Sequence, residues 1–258
     1  MSSLMADYWD ERARRFAVQG SGLAAICSYG MPGFYNRYID LCQRRALAPW
    51  LRRRARPEGT MLDIGCGIGR WSVEFARRGH DVTAVDLSPR MIERAKARAR
   101  EAGVTCRFEV SDAASLALGR RFDLILCVTV LQHMTEPDAA RTAVERLAAH
   151  LSPEGELVLL EAAPSLATTR CDTAAFRART VDWYAEALER AGLRLIGRHG
   201  VDPMPLKSWL LPVYRHIPMP LRVPALAAAT AISLPLDWTL GRVLTRYSWH
   251  SVLIARHR

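Results

Sequence analysis

Beyond residue 59 the chain switches its apolar period repeatedly. "TMLDIG", "DVTAVDLS", "VTCRFEVSD", "FDLILCVTVL", "ELVLLEAA" and "LRLIGRHGV" read as strands, and "RWSVEFARRG", "PRMIERAKARAREAG", "DAARTAVERLAAHL" and "TVDWYAEALERAG" read as helices between them. Such alternation admits few folds. Helical crossovers between parallel strands are almost always right-handed and place helices on both faces of one sheet. "FDLILCVTVL" is a continuous apolar run, as a strand buried on both faces requires. Local signals agree: Pro89 opens a helix, and Gly79 and Gly103 end two of them. The expected fold is α/β, a doubly wound, seven-stranded, mostly parallel sheet, with "SWHSVLIARH" as the last strand.

Two segments lie outside this alternation. Residues 1–58 read as a helical, aromatic-rich cap, with Tyr38, Leu41, Cys42 and Ala46 on one helix face, and Pro57-Glu58-Gly59 ends it. Residues 202–247 form an insertion before the last strand, with seven prolines and with Trp209, Tyr214 and Trp238. The chain therefore reads as one domain: cap 1–58, core 59–201, helical lid 202–247 and last strand 248–258. The apolar run "VPALAAATAISLPL" is short for a bilayer span and has prolines at both ends, so a buried or interfacial helix is expected. The start, "MSSLMADYWDERARRF", has no basic region followed by an apolar stretch, and a cytoplasmic location is expected.

A net charge of +10 raises nucleic acid or an anionic membrane as partners. The basic residues are scattered, however, and apart from Lys96 and Lys207 all are arginines. The one dense run, "RRRAR" at 52–56, reads as a solvated helix end or a phosphate patch. No nucleic-acid partner is expected, and a weak membrane-surface contact stays open. The six cysteines form no C-x-x-C pair and have no accompanying paired histidines, so neither a metal nor a disulfide framework is expected.

"LDIGCGIGRW" carries the chemistry. Gly65, Gly67 and Gly69 follow a strand and precede a helix, as a nucleotide loop requires. A dinucleotide fingerprint would place a small residue at position 70, which is Arg70 here. Asp63 stands just ahead of the loop, where an acid is awkward for a pyrophosphate but suits an ammonium group.

With these glycines in hand, the sequence resembles the class I S-adenosylmethionine (SAM)-dependent methyltransferases, of Rossmann-like fold, over residues 8–196. "VTAVDLSPRMIERA" resembles the family's second-strand motif, "FEVSDAASL" its adenine segment, "FDLILCVTVLQHM" its fourth strand and "LSPEGELVLLE" its turn into the fifth, with Glu154 where the family has glycine. The resemblance implies SAM as cofactor and S-adenosylhomocysteine as product. It places Asp63, Gly65, Cys66, Gly67 and Gly69 around the methionine moiety and Asp86 on the ribose hydroxyls. It sets Leu87 and Met91 beside the adenine, Asp112 and Ala113 at its amino group, and Cys127 and Val128 beneath the methionine part. "YWDERARRF" resembles the helix that closes over SAM, and nominates Tyr8 or Arg14 for the SAM carboxylate.

His133, in "LQHM", is the candidate general base, because its ordinary pKa lies near neutrality; the competing reading is a histidine that packs and orders its loop. Glu161, ending the fifth strand, is the second candidate base, against a structural acid. The family's Asn-Pro-Pro-Tyr-type motif is absent, which argues against nucleobase methylation. Tyr29, Tyr35, Trp209 and Tyr214 are the candidate substrate-binding residues, as parts of an aromatic lid over a small organic, natural-product-like substrate. An isoprenoid or lipid-linked acceptor, with Arg215, Arg222 and Arg242 on a diphosphate, and a SAM-binding enzyme of other chemistry such as cyclisation, remain as alternatives.

Overall fold

The computed structural model describes residues 2–17, 20–28, 30–53, 59–136, 138–166, 172–241 and 243–258. Seven strands form one sheet: β1 (Thr60–Ile64), β2 (Asp81–Asp86), β3 (Arg107–Val110), β4 (Phe122–Val128), β5 (Leu151–Ala162), β6 (Leu193–Gly200) and β7 (His250–His257). Their order is β3-β2-β1-β4-β5-β7-β6. All pairs from β3 to β5 are parallel, and β7 runs antiparallel to both β5 and β6.

The pleat explains the apolar runs. Leu124, Leu126 and Val128 of β4 face one layer, and Ile125 and Cys127 face the other. The first layer holds α3 (Gly33–Arg53), α4 (Arg70–Ala76), α5 (Pro89–Glu101) and the Leu226 contact of α9 (Met219–Leu240). The second holds α6 (Ala139–Ala149) and α7 (Val181–Arg190). Caps set the helix starts. Ser88 accepts from Met91 N at 3.1 Å and precedes Pro89, and Thr180 accepts from Trp183 N at 3.2 Å.

The cap is three helices: α1 (Ser2–Phe16), the single turn α2 (Leu23–Ile26) and α3. A fully buried Trp50 anchors α3 to β5, its Nε1 donating to Glu156 at 2.7 Å. The insertion is helical as expected, made of α8 (Pro205–Val213) and α9. Tyr38 of α3 donates to the buried Asp237 carboxylate, which also accepts from Met204 N at 2.9 Å, and so ties α3, α8 and α9 together. β5 starts earlier than "ELVLLEAA": it takes in the expected turn, with a register shift between its Phe122 and Leu124 pairings on β4.

Candidate active site

β1 and β4 are neighbours whose chains continue to opposite sides of the sheet, and a cleft of about 210 Å³ opens at their carboxyl ends. In open α/β sheets this switch point is where ligands bind. Three loops and one helix build its walls.

The first wall is the glycine loop. Gly65 and Gly67 have φ of 62° and 53°, a left-handed conformation that glycine adopts without strain. Neither has room for a side chain: a Cβ on Gly65 would strike Val130 Cγ2, and one on Gly67 would lie 2.6 Å from Ile26 Cγ2. The backbone therefore runs bare along the cleft between β4's loop and α2. Gly69, with φ of 73°, lies behind this wall and lets α4 pack against Ala95 of α5.

Asp86, Leu87 and Met91 form the second wall. The Asp86 carboxylate accepts from Gly67 N at 2.7 Å and from Ser88 N at 2.9 Å, locking β2's end to the glycine loop. Burial pushes its carboxyl up to about 6, against those two donors, which favour the anion. Asp112 and Ala113 follow β3 and complete this side, Asp112 accepting from Ala114 N at 2.9 Å.

The third wall is the turn after β4. Val128, Thr129, Val130 and His133 line the cleft. Thr129 has φ of 55°, the one non-glycine residue in the left-handed region among those described. Such a conformation costs about 1–3 kcal/mol and persists only where the surroundings impose it. They do so here. The Glu161 carboxylate accepts from Val130 N, Leu131 N and Gln132 N at 2.9, 3.0 and 3.1 Å. Buried Arg179 donates to the carbonyls of Leu131 and Met134, and Gln132 Oε1 accepts from Ala162 N at 2.9 Å. The turn is thus held by its donors and by its acceptors.

The turn aims His133. Its Nδ1 lies 2.6 Å from the Ala175 carbonyl, so Nδ1 carries the proton and Nε2 the lone pair. Burial lowers its pKa to about 4, so the ring is neutral at pH 7. Trp9 of α1 meets it edge-on at 4.9 Å between ring centroids, and the guanidinium of Arg12 lies over the Trp9 ring, 4.6 Å from its centroid. Arg12 also donates to the Ala24 and Cys27 carbonyls, fastening α1 to the turn that covers Gly67.

Several expected site residues stand elsewhere. Glu161 is wholly buried behind the wall with its carboxylate occupied, and no substrate reaches it; it shapes the turn and is not placed as a base. Asp63 lies beneath the glycine loop, accepting from Ser72 Oγ at 2.6 Å, and burial raises its carboxyl to about 7. Cys127 is buried in β4 with its thiol toward Glu161. Tyr8 does not line the cleft, whereas its neighbour Trp9 does, and Arg14 is exposed and paired with Glu11. Tyr35 stacks on Tyr38 in the core, Tyr214 packs against that same core and Trp209 is exposed, so none of the three reaches the cleft. Tyr29, Arg242 and the Arg215 side chain lie outside the described residues.

Met5, Trp9, Trp71 and Thr129 are among the lining residues that were not anticipated. The spacing of Trp9, Ala13, Phe16 and Ala17 is an i, i+4, i+7, i+8 stripe, and it selects Trp9 over Tyr8. Trp71 sits between the guanidinium groups of Arg44 and Arg70, at 5.1 and 4.7 Å. Its buried indole N–H has no acceptor among the described residues. Arg70 fills the position a dinucleotide loop keeps small: buried, it pairs with Asp40 and donates to Gln43 of α3 at 2.7 Å.

Residues 61–155 match the family model of a methyltransferase domain. Over these residues the chain is similar to methyltransferase domains. The matched stretch holds the glycine loop, Asp86, Asp112, His133 and the start of β5, and so nearly all the walls of the cleft. Among curated relatives, the ubiquinone biosynthesis O-methyltransferase of Xanthomonas axonopodis pv. citri is 35% identical over 113 residues, covering 43% of this chain and 46% of that protein. That of Cereibacter sphaeroides is 40% identical over 99 residues, 38% of this chain and 39% of its own. The chain thus matches less than half the length of these relatives. Among solved structures, the magnesium protoporphyrin IX methyltransferase of Synechocystis PCC 6803, with bound S-adenosylhomocysteine, aligns over all of both chains at TM-score 0.66 and 18% identity. The [4+2]-cyclase SpnF aligns over 86% of this chain and 80% of its own, at TM-score 0.58 and 23% identity. Both likenesses are of the fold, and one fold carries more than one chemistry.

Proposed function

We propose that this chain transfers the methyl group of SAM to a hydroxyl oxygen of a small, largely apolar organic acceptor in the cleft beneath α1. The observation that carries this is the side-chain-free backbone of Gly65–Gly67 lying opposite the Asp86 carboxylate, with Arg70 where a dinucleotide site keeps a small residue. Two features of the cleft fit SAM. Asp86 can accept from two vicinal hydroxyls at once, and the orphaned Trp71 indole N–H offers a buried donor. Asp112 and Ala113 stand for the adenine edge, and Leu87 and Met91 for its faces. Bound there, SAM supplies the electrophilic methyl group.

The chain's own residues then position and exclude. Trp9, Met5 and Ile26 wall the cleft from water, which strengthens each polar contact inside it. His133 is held still by the Ala175 carbonyl, and its Nε2 lone pair accepts from Gln132 Nε2 at 3.4 Å, a bond that an acceptor hydroxyl would share or displace. Its depressed pKa makes it a hydrogen-bond acceptor that orients the nucleophile more than a strong base. Placing an oxygen about 3 Å from the methyl carbon and in line with it supplies much of the rate in such a displacement. The O-methyltransferase names of the 35–40% identical relatives favour oxygen as the acceptor atom.

The test is incubation with SAM and a panel of apolar phenols and alcohols. Methylated product and S-adenosylhomocysteine formed in equal amounts support the proposal. A rearranged product with no S-adenosylhomocysteine would assign the cleft to cyclase-type chemistry, and methylation confined to amines would overturn the choice of oxygen.

A further inference from the structure

α9 turns an almost wholly apolar surface outward and is buried along one narrow stripe. Leu226, Ser233 and Asp237 face inward, against α3 and the α8 end. Pro224, Ala228, Ala231 and Pro235 lie outward at helical spacing, Leu221 and Ile232 beside them are 57% and 55% exposed, and the partly exposed Trp238 lies against the Arg45 guanidinium of α3. Among the exposed residues of α9, Thr239 alone is polar and none is charged. A surface helix of a soluble domain normally turns charge to water, and a helix apolar on every side is normally buried. Here neither holds. The outer surface of α8 continues the patch with Trp209, Leu211 and Val213, and the segment after α9 adds Val243 and Tyr247. Together these exceed the scattered apolar residues of an ordinary surface.

By length and mean hydropathy α9 could cross a bilayer. Its connections argue otherwise. Tyr38 pins Asp237 to α3, and the chain must return directly into β7, in the middle of the sheet's antiparallel half. The helix therefore lies along the protein with its outer face free.

We infer that the outer face of α8–α9 docks flat onto an anionic lipid surface. Charge selects this occupant. Across residues 203–249 the sequence has Lys207, Arg215, Arg222, Arg242 and Arg246 against one acid, Asp237, and that acid is buried. In the sequence these basic residues flank the apolar run of α9 on both sides, the pattern of an interfacial segment that meets acidic headgroups. Exposed Trp209, Trp238 and Tyr247 are residue types that favour the headgroup level. A second copy is the poorer occupant, because a two-fold contact through this face would set the same basic segment against itself. The inference does not depend on the methyltransferase chemistry.

The full chain is mixed with vesicles of phosphatidylcholine alone and with about one quarter phosphatidylglycerol, and sedimented. The expected result is partition onto the anionic vesicles, about tenfold weaker onto the neutral ones, and weakened by salt. The double variant Leu221→Glu/Ile232→Glu should lose roughly 100-fold in partition, while its circular dichroism and thermal midpoint stay close to wild type because both side chains are exposed. Wild type that stays in the supernatant with anionic vesicles would overturn the inference. So would a variant that sediments as well as wild type, or a wild-type dimer in solution that the same substitutions split.

Discussion

The two segments that lie outside the strand–helix alternation are both aromatic and both helical, yet they face opposite ways. α1 turns Met5 and Trp9 into the cleft and Ala13 and Ala17 onto the core, and leaves Glu11, Arg14 and Arg15 in water. α8–α9 turns Trp209, Leu221 and Ile232 outward and contributes no residue to the cleft among those described. An aromatic-rich composition marks both as departures from the common core. It does not say where the rings point. In α1 a polar face fixes the direction, because one stripe is apolar and the rest is charged. In α9 the outer faces are apolar, and the stripe that packs is the one that carries Ser233 and Asp237, set by the Tyr38–Asp237 contact; the remainder is left for another partner.

Substitutions sharpen this contrast. The largest effect is expected at the turn that α1 covers. His133→Ala should lower kcat/KM about 100-fold, mostly in kcat, with SAM affinity nearly unchanged. Single-turnover kinetics beside calorimetry separates the two, and a loss confined to SAM affinity would reassign His133 to the cofactor. Next comes Trp9→Ala, which removes the wall against His133 and should raise the KM of the acceptor by roughly 10-fold. Tyr38→Phe tests the other segment: losing one donor to the buried Asp237 carboxylate, which keeps Met204 N, should cost about 1–3 kcal/mol in urea unfolding while leaving the cleft's kinetics intact. The smallest effect is expected for Trp209→Ala, within about twofold in kcat/KM. A large loss there would place the insertion over the cleft after all.

The pH response sharpens it from the side of the cofactor. Burial raises the Asp86 carboxyl to about 6, above its unfolded value, so its protonated form is the one burial favours and ionising it costs stability as pH rises through 6. Hydroxyl donors from a ligand favour the anion. SAM binding should therefore release protons near pH 6 and weaken as the pH falls below it. Calorimetry in buffers of different ionisation enthalpy measures that proton count, and uptake in place of release would remove Asp86 from the hydroxyl-binding role. His133 titrates the other way: its folded pKa of about 4 lies below the unfolded value, so its contribution to stability is present above about pH 6.5 and is lost as the pH falls toward 4.

Much of the sheet was legible because period carries it. Alternation set β1, β2, β4 and β6 and the helices between them, and glycine spacing set the loop that lines the cleft. Asp86, Leu87, Met91, Asp112, Ala113 and Val128 all line it. Other placements were hidden for physical reasons. The slot of β7 between β5 and β6 is a long-range pairing that local pattern does not encode. Tyr8 and Trp9 differ by one residue of helical phase, which only the whole stripe through Ala17 resolves. Glu161 ends β5 as a catalytic acid would, but three backbone donors meet it from a turn thirty residues earlier in the chain. The left-handed Thr129 has no sequence signal, since its neighbours impose the conformation.

The most direct measurement is calorimetric titration of SAM into wild type and into Asp86→Ala, with the fold of both checked by thermal melting. Micromolar binding by wild type, reduced at least about 100-fold in the folded variant, is the predicted result. No SAM binding by wild type, or equal binding by both proteins, would contradict the assignment of this cleft.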